Sequence, residues 1–68
     1  MRLCNRLKTA RLERDLTQAA LAERVGVSRK TINTVENSVF VPSVALALAL
    51  SRVLGTSVEA LFFLEDDE

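Results

Sequence analysis

The apolar positions between Thr17 and Asn37, TQAALAERVGVSRKTINTVEN, form two short helical patterns with a bend between them. Leu21, Ala22 and Val25 share one face at helical spacing, Ile32 and Val35 form a second, and Val27 plugs the bend. The pattern predicts helices over about 18–25 and 29–36. Cap signals agree with these bounds. The Thr17 hydroxyl can accept from an orphan N–H of the first helix, and Ser28 can do the same for the second. Gly26 takes a left-handed backbone at no steric cost, so it can end the first helix. Ala22 is small enough to let the second helix approach closely.

The same reading extends outward. Leu3, Leu7 and Ala10 or Arg11 share a face, which predicts a helix over 2–14, with Leu12 on its outer side. Pro42-Ser43 opens a helix over about 43–54, and Gly55 stops it. Ser57 caps a last helix over about 58–64. The loop at 38–42, SVFVP, is unusually apolar. Pro42 argues against a strand there, and Phe40 is expected to pack across the third and fourth helices. The expected class is therefore all-α, a compact five-helix domain.

The fourth helix, VALALALSRVL, alternates like a strand, but Ala and Leu favour helix. One stripe suffices for a core: Val44, Ala47, Leu50 or Ser51, and Leu54. Leu46, Leu48 and Val53 lie off it. Phe62, Phe63 and Leu64 are consecutive and cannot all face one core from a helix. A helix apolar nearly all round is buried on more than one side. These six residues are thus candidates for a homodimer interface in the C-terminal half (43–64). Glu65 to Glu68 reads as a solvated acidic tail.

On the second of the two central helices Arg29, Lys30, Thr31, Asn33 and Thr34 face outward. All five can hydrogen-bond and two are cationic, which suits base edges and phosphates. Here the run Gln18, Ala22, Gly26, Ile32 and Val35 resembles the helix-turn-helix of the Cro/repressor (XRE-type) DNA-binding family. Asn5-Arg6-Leu7-Lys8 with Arg11, Val35-Glu36-Asn37, Pro42-Ser43 and Leu54-Gly55-Thr56-Ser57 extend the resemblance over roughly residues 3 to 64. Two positions depart from that pattern. Asp15 and Ser38 stand where the family often has Gly. Asp tolerates a left-handed backbone; near Ser38, either Asn37 takes that conformation or the helix end is shaped differently.

The resemblance implies a lambda-repressor-like domain that binds double-stranded DNA. Arg29 and Lys30 become candidates for guanine, and Asn33 or Thr34 for adenine or a thymine methyl. Gln18 and Asn37 look like the family's phosphate contacts, with Thr31, Arg6, Arg11 and Lys8 adding to them. The resemblance also implies that Arg11 pairs with Glu36; a solvated Arg11 is the alternative.

Composition changes the picture in three places. Net charge is zero over 68 residues, yet residues 1–36 carry eight Lys/Arg against four acids, and residues 37–68 carry Arg52 against five. A basic binding half and an acidic far half follow. One Cys and no His leave no internal disulfide and argue against a metal site or cofactor; Cys4 reads as a small apolar filler. The longest apolar run, Val44 to Leu50, is too short to span a membrane, so a cytoplasmic protein is expected. The residues offer no nucleophile-base spacing and no phosphate loop, which argues against an enzyme. A protein-interaction module, such as an antitoxin or anti-repressor on the same fold, is the alternative to a DNA-binding regulator.

Overall fold

The computed structural model describes residues 1–66. Its order is β1 (Arg2–Asn5), α1 (Leu7–Glu13), α2 (Gln18–Val25), α3 (Arg29–Glu36), α4 (Val44–Leu54), α5 (Val58–Leu61) and β2 (Phe62–Glu65). Four helices start at a side-chain cap. Thr17, Ser28, Ser43 and Ser57 each accept from the N–H three residues on, at 3.0 to 3.2 Å. Gly26 and Gly55 close α2 and α4 with φ of 76° and 63°.

One core joins all five helices. Leu7 and Ala10 from α1 meet Leu21 and Ala22 from α2, Ile32 and Val35 from α3, Leu50 and Leu54 from α4, and Leu61 from α5. Leu46 and Val53 pack against this core rather than lying off it, and Val44 is exposed. The inward stripe of α4 therefore runs through Leu46, Leu50, Val53 and Leu54, rotated from the expected one.

The all-α expectation is corrected at both ends. Residues 2–5 and 62–65 are strands, not helix, and pair antiparallel with Arg2 opposite Glu65 and Asn5 opposite Phe62. Asn5 sets the first boundary. Its Oδ1 accepts from the Leu7 N–H at 3.0 Å, and its Nδ2 donates to the Val35 carbonyl at 3.0 Å. A side chain that bonds the backbone two residues on offers the chain an alternative to helix. At the other end the aromatic pair Phe62-Phe63 suits a pleated surface better than a fifth-helix turn. Phe62 packs on the core, while the Arg6 guanidinium lies 4.4 Å from the centre of the Phe63 ring.

Glu65 belongs to β2 and pairs with Arg2 at 3.2 Å, so the acidic tail is shorter than expected. Asp67 and Glu68 lie outside the described residues. Asp15 has the left-handed backbone expected of it, at φ 55°. After α3 it is Ser38, at φ 61°, and not Asn37 that turns left-handed. Phe40 is half-exposed rather than enclosed between α3 and α4.

The sheet also settles the state of Cys4. Its Sγ lies 3.4 Å from Glu65 Oε1. Partial burial and then the Glu65 carboxylate push the thiol pKa up, while the hydrogen bond from Arg2 holds the Glu65 carboxyl below its ordinary value. The thiolate is the reactive form. Iodoacetamide at mildly alkaline pH should therefore alkylate Cys4 several times more slowly in the folded protein than in urea. Equal rates would show an open, activated thiol.

Candidate nucleic-acid interface

The α2–turn–α3 unit holds α3 by its inner side alone. Ile32 and Val35 are fully covered, and Val27 in the turn donates its N–H to the Ala22 carbonyl at 3.0 Å. The outer side carries Arg29, Lys30 and Asn33, all exposed, with Thr31 and Thr34 half-buried beside them. Neither Arg29 nor Lys30 has an ion-pair or hydrogen-bond partner among the described residues. Two unpartnered cations on one helix face can donate to a phosphate or to the acceptor edge of a base.

The hydroxyls are partly committed. Thr31 Oγ1 lies 3.0 Å from Ser28 Oγ, and Thr34 Oγ1 donates to the Thr31 carbonyl at 3.0 Å. Thr34 retains its acceptor lone pairs and its methyl.

Behind the face lies a buried ion pair. Arg11 Nε donates to Glu36 Oε2 at 2.7 Å, Nη2 to Glu36 Oε1 at 3.3 Å, and Nη1 to the Leu16 carbonyl at 2.7 Å. The two side chains are 8% and 3% exposed. Arg11 is thus wholly engaged inside the protein, which removes it from the phosphate-contact set. Gln18 continues the chain outward. Its Nε2 donates to Glu36 Oε1 at 3.1 Å and to Asn33 Oδ1 at 3.2 Å. Asn37 Nδ2 also donates to Asn33 Oδ1, at 3.2 Å. The side-chain hydrogens of Gln18 are both used, so any phosphate contact there falls to its backbone N–H in the first turn of α2.

Arg6 is exposed but stacks on Phe63, and its backbone N–H bonds the Leu61 carbonyl at 2.8 Å. It sits with α5 and β2, not with α2 and α3. Lys8 is exposed on α1. Val39 and Phe40 flank α3 unexpectedly: with Lys30, Thr31 and Thr34 they line a shallow groove. The Val39 and Phe40 N–H groups both bond the Thr34 carbonyl, at 2.9 and 3.2 Å, which fastens the loop to the end of α3. The signal was the apolar SVFVP itself, whose place beside α3 depends on the left-handed Ser38.

The candidate dimer residues separate in the same way. Leu46, Val53 and Phe62 are half-buried on the core and Phe63 lies under Arg6, whereas Leu48 and Leu64 are exposed. Val39, Val41 and Val44 are exposed too, which the periodicity reading missed because it placed Val44 inward.

No helix of the described residues is long and apolar enough to cross a membrane. The helix-turn-helix family profile matches residues 7–61. An uncharacterized HTH-type transcriptional regulator of Methanocaldococcus jannaschii is 42% identical over 64 residues, which cover 94% of this chain and 97% of that protein. Among solved structures, the P22 c2 repressor in complex with a synthetic operator superposes with a TM-score of 0.77 at 37% identity, over 79% of this chain and 82% of that one. The N-terminal DNA binding domain of SinR from Bacillus subtilis gives 0.74 at 31% identity, over 79% and 80%. With its caps, its bend and its outward cationic face in these places, the chain belongs to the XRE-type helix-turn-helix family and has the DNA-binding fold of that family's transcriptional regulators.

Proposed function

We propose that the protein binds a two-fold DNA operator sequence-specifically, as a homodimer in the cytoplasm, and represses transcription there. The observation that carries this reading is the outer face of α3. Arg29 and Lys30 stand exposed and unpartnered on a helix whose other side is locked in the core. The helix can then enter a major groove without unfolding anything. In a dimer, two such helices would meet successive grooves about 34 Å apart. The P22 c2 repressor was solved on an operator, and the likeness to it supports the docking mode.

The roles follow from reach and free hydrogen-bonding capacity. Arg29 and Lys30 read guanine, and Thr34 offers its methyl to thymine. Asn37, Thr31 and the Gln18 backbone bind phosphate. Lys8 and Arg6 contribute long-range attraction. Binding should weaken steeply with salt, with a log–log slope of about −0.9 per phosphate neutralised. Absent or salt-independent binding to any duplex would overturn this reading in favour of a protein-interaction module.

Lys30→Ala should cost about 1–3 kcal/mol on the preferred site and relax discrimination at one base position. Titrations on the preferred site and on single-base variants check this. Equal weakening on every sequence would make Lys30 a phosphate contact instead.

A further inference from the structure

Two donors converge on one oxygen of the reading face. Asn33 Oδ1 accepts from Gln18 Nε2 and from Asn37 Nδ2, each at 3.2 Å. A carbonyl oxygen has two lone pairs, so this one is full, while the Asn33 NH2 has no partner among the described residues. The orientation is imposed from inside the protein. The Glu36 carboxylate can only accept, and Arg11 holds it from the other side. Gln18 must therefore present its NH2 to Glu36, at 3.1 Å. The same NH2 faces Asn33, which has to answer with its oxygen.

The geometry points to Asn33 as a donor-only base reader, one that selects the two-acceptor edge of guanine and gives up the bidentate pair with adenine. This inference rests on the proposed DNA reading and refines it. The bidentate asparagine–adenine pair needs the amide oxygen to accept from the adenine N6–H. Here that oxygen is occupied. Turning the amide over would lose the bond from Gln18 and set the Asn33 NH2 against the Gln18 NH2. Guanine offers two acceptors, O6 and N7, and thymine offers O4. Cytosine presents only an amino donor, and adenine sets its amino donor beside a single acceptor, N7, so its N6–H is left without the oxygen it needs. The expectation that Asn33 suits adenine is replaced accordingly, and Gln18 and Asn37 become positioning residues for specificity.

The test selects bound sequences from a random duplex pool with three proteins: the wild type, Asn33→Ala and the double variant Gln18→Met/Asn37→Ala. Asn33 is exposed, and circular dichroism checks that each variant is folded. The base pair whose preference vanishes in Asn33→Ala is the one Asn33 reads. In the wild type, guanine should lead adenine there by about tenfold. In the double variant the freed oxygen should bring adenine level or ahead at that position alone. Lost phosphate contacts would lower affinity on all sequences equally and leave that ratio unchanged. Adenine leading in the wild type overturns the donor-only assignment and leaves the DNA reading standing. So does specific binding in which no position depends on Asn33. An unchanged ratio in the double variant overturns the positioning role of Gln18 and Asn37. No sequence enrichment by any of the three proteins overturns the proposed function, and this inference with it.

Discussion

Glu36→Ala should destabilise the fold by about 3–5 kcal/mol, because it leaves the Arg11 guanidinium charged and enclosed with no counter-charge. The geometry supports the upper part of that range. Arg11 is 6% exposed as a residue, and all three of its guanidinium nitrogens are engaged, two of them by Glu36 alone. Among the described residues, no buried side-chain nitrogen or oxygen lacks a partner, so removing Glu36 breaks a fully satisfied network. In a domain this small a loss of about 3 kcal/mol lowers the melting temperature by roughly 12 °C or more. Total stability of single domains is about 5–15 kcal/mol, so the loss is a large share of it. The exposed Arg2–Glu65 pair is the control: its side chains are 68% and 51% exposed, and Arg2→Ala should leave the melting temperature almost unchanged. Thermal unfolding followed by circular dichroism measures both. A Glu36→Ala melt within error of wild type would show that Arg11 escapes to water.

The central unit was legible residue by residue because its signals are local. Thr17, Gly26 and Ser28 each act within four residues of themselves, and α2 begins and ends, and α3 begins, where those caps place them. The sheet was not legible for the opposite reason. Arg2 and Glu65 are 63 residues apart in the chain, and four-residue strands show nothing until they meet. Leu3 and Leu7 even stand at helical i, i+4 spacing, so the local pattern pointed the wrong way. The crowding of Phe62, Phe63 and Leu64 was a true signal against a helix at those positions. It marked residues that alternate in a strand, with Phe62 on the core and Leu64 exposed.

The outer face of α3 was legible in its membership but not in its hydrogen bonds. Helical spacing alone put Arg29, Lys30 and Asn33 outward, and they are exposed. Which way Asn33 turns its amide depends on Gln18, 15 residues earlier, and on a carboxylate anchored by α1. Arg11 shows the same limit. A cation near a DNA-binding unit reads as a phosphate contact until the fold shows it turned inward.

Leu48→Glu should convert the proposed dimer to a monomer and weaken binding to a two-fold site by about 10²- to 10⁴-fold, while single half-sites are bound as before. The range is what linking two binding modules gains through effective concentration. The placement rests on apolar side chains that the core does not use. Val44 and Leu48 stand one helical turn apart on the outer side of α4, 76% and 58% exposed, and Val41 precedes them at 68%. A run of large apolar residues on so small a protein marks an interface, and a C2 pair buries the same patch twice. The proposed interface is therefore placed toward the start of α4 and away from Leu46, Val53 and Phe62, which pack on the core. Because Leu48 is exposed, a glutamate there should leave the melting temperature of the monomer nearly unchanged. Leu64→Glu separates the alternatives, since Leu64 is 60% exposed on β2 rather than on α4. Dissociation by Leu64→Glu and not by Leu48→Glu would move the interface to the sheet. Sedimentation at micromolar concentration reads the state directly. A wild type that runs as a 7.5 kDa monomer and still binds a palindrome tightly would sink the dimer on either face.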